Sequence, residues 1–178
     1  MCKKFYIVVF ALVFFSCNQR KESEANTNLL YFDIKGYFGK EINRLQKLTP
    51  TVKKTVSVNG AVEDKSIKIN DWNKELAIFV DADINKTSWK GSFNSSKTDT
   101  TENFISTNKK IPVKNISIQR KGNQVLKLEI IIANQNILYS SNDTLTYYPD
   151  SLYQIKKQQK IELLKVKNYQ ISGRFLKK

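Results

Sequence analysis

Apolar residues in the first third of the chain recur at helical spacing. Between positions 29 and 48 they are Leu30, Ile34, Tyr37, Phe38, Ile42, Leu45 and Leu48. Thr49-Pro50 is predicted to end this helix, because the residue before a proline avoids the helical conformation. A second stripe predicts a helix from Asp71 to about Ile84 and consists of Trp72, Leu76, Phe79, Val80 and Ile84.

Alternation replaces the helical spacing elsewhere and predicts strands. Segments 51–58 and 61–69 flank Asn59-Gly60, which favours a two-residue hairpin turn because both residues tolerate positive φ. Further strands are predicted at 89–93, 104–105, 113–120, 125–133, 137–141, 142–148, 152–155, 160–166 and 169–175, with a loop at 94–102. The most hydrophobic strand, 125–133, is expected inside the sheet, with Leu126, Leu128, Ile130 and Ile132 on one face.

The order of these elements predicts an α+β fold. Consecutive strands with short turns build a curved, mostly antiparallel sheet in the form of a meander. The two amphipathic helices are expected to pack on one face of that sheet, because each has an apolar stripe that must be buried.

The start of the chain has the features of an export signal. Lys3 and Lys4 precede an apolar run at 5–15, which is too short to cross a bilayer as a helix, and Ser16 then precedes Cys17. This pattern resembles the lipobox of bacterial lipoproteins, in the looser form common in the Bacteroidota. The resemblance implies that Cys17 becomes the mature N-terminus and carries a diacylglyceryl thioether and an N-acyl chain. The alternatives are a plain cleaved signal or a short uncleaved anchor.

These features divide the chain into three parts. Segment 1–16 is the expected lipoprotein signal peptide, 17–28 a lipidated flexible tether, and 29–178 a single α+β domain large enough for one core. The resemblance to lipoproteins implies the cell envelope, with the outer membrane as the expected location.

The charge balance bears on the partners. The formal net charge is +14, to which the predicted signal peptide contributes only Lys3 and Lys4. An exported protein rarely meets nucleic acid, so phospholipid or lipopolysaccharide phosphates and acidic protein surfaces are the more natural partners. Alternatively, the lysines form the solvated face of the strands.

The missing residue types exclude several kinds of site. The chain has no histidine and only two cysteines, Cys2 and Cys17. The domain therefore lacks disulfides, zinc sites built on histidine or cysteine, and the Ser-His-Asp and Cys-His mechanisms. Asp81 and Asp83 offer two carboxylates, but residues two apart on a helix do not face each other, so a solvated helix end explains them better. We expect no metal, no cofactor and no enzymatic activity.

The sequence thus predicts a non-enzymatic lipoprotein that binds the bilayer through acylated Cys17. Its domain is expected to bind another envelope component, either a protein or an anionic lipid. The candidate binding surface is the tyrosine- and lysine-rich segment containing Tyr147, Tyr148, Tyr153, Lys156 and Lys157. Tyrosine is also simply a good strand residue, which is the alternative explanation of this segment. The alternative function is a carrier or receptor for a hydrophobic ligand held between sheet and helices.

Overall fold

The computed structural model describes residues 29–176 and consists mainly of one nine-stranded antiparallel sheet. The helices are α1 (Ile34–Leu48), α2 (Trp72–Glu75) and α3 (Ala77–Asp81), with a 3₁₀ turn at Thr87–Trp89. The strands are β1 (Thr51–Val58), β2 (Ala61–Lys68), β3 (Phe93–Lys97), β4 (Thr101–Ser106), β5 (Val113–Lys121), β6 (Gln124–Gln135), β7 (Tyr139–Tyr148), β8 (Leu152–Ile161) and β9 (Lys167–Phe175). The expected signal peptide, tether and lipidated Cys17 lie outside the described residues.

Helix α1 confirms the first predicted helix. The carboxylate of Asp33 caps its start by accepting a 2.7 Å hydrogen bond from the Gly36 amide. Thr49 ends it in the left-handed conformation, directly before Pro50. Its buried stripe contains Ile34, Phe38, Ile42 and Leu45. The helix is therefore held to the sheet by one apolar face.

The second predicted helix is wrong as a single element. The chain forms the two short helices α2 and α3, which are separated at Leu76. Trp72, Leu76, Phe79 and Ile84 have no exposed surface. The break lets the segment keep these large side chains against the sheet while it crosses from one side to the other.

The strand order in the sheet is β2-β1-β9-β8-β7-β6-β5-β4-β3. The predicted hairpin of β1 and β2 is confirmed, with Asn59 and Gly60 at positive φ in its turn. Strands β3 to β9 form the predicted meander, and β9 pairs with β1 to join the hairpin to it. The segment between β2 and β3 crosses the sheet from edge to edge, so the sheet stays open at both edges.

Several strand predictions need correction. Of the strand predicted at 160–166, only Lys160 and Ile161 belong to β8, and 162–166 form the β8–β9 turn. The expected loop at 94–102 is a hairpin of β3 and β4, while Trp89 lies in the 3₁₀ turn before it. Strand β8 runs without a break through 156–159. Leu126 is exposed, because a bulge opposite β5 turns Val125 inward instead.

The sheet has two different faces. The covered face carries the helices and the buried apolar side chains of the strands. Phe38, Trp72, Phe79, Tyr147 and Tyr153 fill the layer between helices and sheet, and none of them has exposed surface. This layer is where the carrier alternative would place its ligand. The opposite face, which we call the open face, carries the alternate strand residues and no helix of the described chain.

Candidate functional site

The structure separates the five residues of the predicted binding surface. Tyr147 and Tyr153 are fully buried, so for these two the prediction of a binding surface is corrected. They are direct cross-strand partners on the covered face, where α1 and α2 pack over them. Tyr148 and Lys156 lie on the open face. Lys157 is on the covered side and pairs with the buried carboxylate of Asp143 at 3.3 Å.

Each of the two buried tyrosines fastens one helix to the sheet. The Tyr147 hydroxyl donates a 2.6 Å hydrogen bond to Glu41 of α1. The Tyr153 hydroxyl donates a bond of the same length to Glu75 of α2. Burial, and then the hydrogen bond to the glutamate, raises the pKa of both phenols well above the ordinary value. Both phenols therefore stay protonated and act as structural donors.

A cation neutralises the glutamate in each pair. Arg44 binds Glu41 with two hydrogen bonds, of 3.0 and 2.8 Å, and also contacts Asp150. Lys54 binds Glu75 at 2.7 Å. Each carboxylate thus has a phenol on one side and a cation on the other. This pairing offsets the free energy that burying an unpaired carboxylate would cost. These clusters hold α1 and α2 to the sheet.

The open face supplies the candidate site instead. Its middle row runs across all nine strands without an apolar side chain. In sheet order it contains Asp64, Thr55, Ser172, Gln154, Thr146, Glu129, Ser117, Asn103 and Ser96. Hydroxyl and amide groups dominate this row, and each can donate and accept hydrogen bonds. The row is therefore a continuous polar strip, in which Thr146 at the centre is buried at 8% exposure between its neighbours.

The two neighbouring rows add most of the charge. One contains Thr101, Gln119, Lys127, Tyr148, Leu152, Arg174, Lys53 and Ser66. The other contains Asn94, Ile105, Asn115, Ile131, Thr144, Lys156, Gln170, Ser57 and Val62. Cations outnumber anions across the three rows, so the open face is basic.

Two of the open-face lysines are already paired within the domain. Lys127 binds Glu129 at 2.8 Å, and this hydrogen bond raises the pKa of Lys127. Its ammonium also lies 6.0 Å from the centre of the Tyr148 ring. Lys53 binds Asp64 at 2.5 Å. The ordered pairs leave other cations of this face available to a partner.

Lys156 stands beside a shallow depression in the open face. This depression has a volume of about 360 Å³ and lies over β7, β8, β9 and β1. Its lining also includes Thr144, Gln158, Gln170 and Ser57. Among the described residues, Lys156 makes no ion pair. The depression therefore brings hydroxyl and amide groups together with one cation that has no carboxylate partner among the described residues.

The sequence indicates this surface only through the polar residues that occupy alternate positions of each strand. Thr144 lies between buried Asp143 and Leu145, and Gln154 follows buried Tyr153, yet alternation of this kind is common in strands of solvated sheets. Only the pairing of β9 with β1 extends the row from the meander to the hairpin, and no residue pattern indicates that pairing.

The described range has two further properties that bear on function. No group of three or more carboxylate side chains comes together there to hold a metal ion. No helix in the same range is long and apolar enough to cross a bilayer.

Neither a protein-family model, nor a curated protein, nor a solved structure matches this chain.

Proposed function

We propose that this chain is a lipid-anchored, non-enzymatic protein of the bacterial cell envelope, and that its domain binds another envelope protein through the open face. The observation that carries the proposal is the polar middle row, which crosses all nine strands on a face without a helix. A partner with its own polar surface can meet this row with many hydrogen bonds at once.

The size of the open face suits such a complex. Nine strands about 4.8 Å apart span about 43 Å, and three rows about 6.8 Å apart span about 20 Å, so together they cover roughly 880 Å². Stable protein complexes bury about 800 Å² on each partner. The three rows are therefore large enough for a specific interface without any other part of the domain.

The charge of the open face indicates the chemistry of the partner. Lys156 and Arg174 are exposed there and make no ion pair among the described residues. An acidic partner surface would gain charge-assisted hydrogen bonds from both. We therefore propose an acidic protein surface as the complement.

The anchor is proposed on the sequence alone. Ser16-Cys17 follows a short basic and apolar segment, as in the signals of bacterial lipoproteins. Two or more acyl chains on Cys17 would hold the protein at the outer membrane. Metabolic labelling with a palmitate analogue tests this part, because the Cys17→Ser variant must lose the label if Cys17 carries it.

Cross-linking in cells tests the binding surface. A photoreactive phenylalanine analogue is placed at Gln154, in the middle row, and at Asn43, on the exposed side of α1. We expect a discrete cross-linked product from position 154 and none from position 43. Equal products at both positions, or none at 154 while the protein is present at normal level, would refute the open face as the interface.

A charge variant sharpens the test. Lys156→Glu together with Arg174→Glu should remove the cross-link at position 154, because an acidic partner would then be repelled. Lys40→Glu with Lys47→Glu is the matched control, since it makes the same charge change on α1. If the control variant weakened the cross-link equally, overall charge rather than the open face would govern binding.

A further inference from the structure

Two neighbouring hairpin turns expose a cluster of aliphatic side chains at one end of the sheet. The β6–β7 turn contributes Ile137, 92% exposed, and Leu138, 64% exposed. The β8–β9 turn contributes Leu163, 99% exposed, together with Leu164 and Val166. We call these five residues the apolar tip. Scattered exposed aliphatic residues are ordinary, but five on two adjacent turns concentrate exposed apolar surface at one end of the sheet.

The apolar tip is held in place by the backbone. The amide of Glu162 donates a 2.9 Å hydrogen bond to the carbonyl of Leu138, which joins the two turns. The side chain of Asn136 accepts from the amides of Leu138 and Tyr139 at 2.9 and 2.8 Å. These bonds fix the β6–β7 turn with Ile137 pointing outward. The patch is thus presented by an ordered framework.

Leu163 occupies a conformation that a leucine normally avoids. Its φ is 67°, in the left-handed region that favours glycine or asparagine. A bulky apolar residue there is strained, and its side chain gains no burial in return. Strained backbone positions cluster at binding and switch sites, which makes Leu163 a candidate contact residue.

Lysines surround the apolar tip. Lys160, Lys165 and Lys167 lie on the β8–β9 hairpin itself and are all exposed. Lys109 and Lys110 lie on the β4–β5 loop and line a cleft that also contains Asn136 of the neighbouring turn. The only acidic residue in the two turns is Glu162. Aliphatic side chains ringed by lysines match the interface of an anionic bilayer, where apolar groups enter the acyl boundary and lysines meet the phosphates.

We propose that the apolar tip inserts into the interface of an anionic phospholipid bilayer. A second copy of this chain fits the surface less well, because a symmetric contact would bring the same lysines together. The proposal goes beyond the binding of a partner protein through the open face and does not depend on it.

The two ends of the sheet allow a direct test. Leu29 lines the same cleft as Gly122 and Asn123 of the β5–β6 turn, so the start of the described chain lies at the end opposite to the apolar tip. If Cys17 were the only membrane attachment, the apolar tip would not be expected to contact lipid. A position-specific probe therefore separates insertion of the apolar tip from simple tethering.

Fluorescence quenching by brominated lipid provides that probe. Ile137→Trp and, as matched control, Asn123→Trp are made in the full chain and added to vesicles of brominated phosphatidylglycerol. The signal of the unsubstituted chain, which contains Trp72 and Trp89, is subtracted. We expect the emission of the residue at 137 to fall at least about twofold and that at 123 to stay unchanged. Quenching at 123 alone, at both positions equally, or at neither would overturn the proposal.

A second pair of measurements tests the charge requirement. Lys160→Glu, Lys165→Glu and Lys167→Glu together in the Ile137→Trp chain should abolish the quenching by phosphatidylglycerol. Brominated phosphatidylcholine vesicles should give little quenching even with all lysines present. Equal quenching in both lipids would refute the need for an anionic bilayer. Leu164→Trp repeats the test if Ile137→Trp is poorly folded.

Discussion

The Tyr147 hydroxyl donates a 2.6 Å hydrogen bond to Glu41, which ties the middle of the sheet to the middle of α1. Its cross-strand partner Tyr153 does the same for α2 through Glu75. The two bonds lie in the layer between helices and sheet, whose core is built from aromatic and aliphatic side chains. They fix the position of each helix along the sheet. Apolar contacts alone would define that position less precisely, because they are not directional.

Removing the Tyr147 hydroxyl should weaken the fold. The Tyr147→Phe variant keeps the ring in the core but leaves Glu41 with Arg44 as its remaining partner. A hydrogen bond to a charged group contributes about 1.5–3 kcal/mol, so we expect the free energy of unfolding to fall by about 2 kcal/mol. Urea denaturation followed by circular dichroism measures this change.

Tyr148→Phe is the matched control for that variant. Tyr148 is the next residue in the same strand, but it faces the open side, and its change should alter stability by less than about 0.5 kcal/mol. Equal losses in the two variants would contradict the structural role assigned to the bond between Tyr147 and Glu41.

Gly173 is required by the ring of Tyr153. A Cβ atom built on Gly173 would lie 2.1 Å from that ring, closer than any real contact. Gly173→Ala should therefore displace Tyr153 or β9 and destabilise the protein by more than about 2 kcal/mol. Thermal and urea unfolding of the variant provide the measurement.

Gly39→Ala makes the same chemical change with the opposite expected sign. Gly39 lies inside α1, and a Cβ there would meet nothing within 4 Å. Alanine is favoured over glycine in a helix by about 0.5–1 kcal/mol, so this variant should be more stable than the parent. If both alanines stabilised the protein, the crowding at Gly173 would be refuted.

Local patterns in the sequence were sufficient for some elements and insufficient for others. The turn at Asn59-Gly60 and the end of α1 before Pro50 follow from the conformational limits of the residues themselves, and the structure confirms both. The break at Leu76 does not follow from spacing, because Trp72, Leu76 and Phe79 fit one helical stripe equally well. Contact with the sheet decided between one helix and two.

The tyrosines illustrate the same limit for the site. Tyr147 and Tyr148 look alike in sequence, and one-residue alternation places them on opposite faces. Which face the helices cover depends on long-range packing, so the buried tyrosine could not be told from the accessible one. The open face has a similar origin, because it needs the pairing of β1 with β9.

Alkaline pH should weaken the fold through the buried phenols. Tyr147 and Tyr153 have a raised pKa in the folded protein, mainly because of burial, whereas in the unfolded chain the ordinary value of 10.0 applies. A raised folded pKa means that the folded state holds its protons more tightly. The stabilising contribution is therefore complete below pH 10 and is lost as the pH rises above it.

Unfolding at several pH values checks this expectation. The free energy of unfolding of the parent should fall steeply between pH 10 and 11.5, whereas the variant with both Tyr147→Phe and Tyr153→Phe should show a shallower fall over roughly the same interval. Lysines titrate in both proteins and cancel in the comparison. Parallel curves would show that these phenols do not control alkaline stability.

Leu163 should show a conflict between stability and lipid binding. Asparagine tolerates the left-handed conformation, so Leu163→Asn should relieve strain and raise the free energy of unfolding by about 1 kcal/mol. Leu164→Asn is the matched control, because Leu164 is also exposed but does not have positive φ; its stability should change little. Both variants remove an aliphatic side chain from the apolar tip. When each is made in the Ile137→Trp chain, brominated phosphatidylglycerol should therefore quench the emission of the residue at 137 less strongly. If Leu163→Asn raised the stability while quenching stayed undiminished in both variants, the strain at Leu163 would be confirmed, but its role in lipid binding would be refuted.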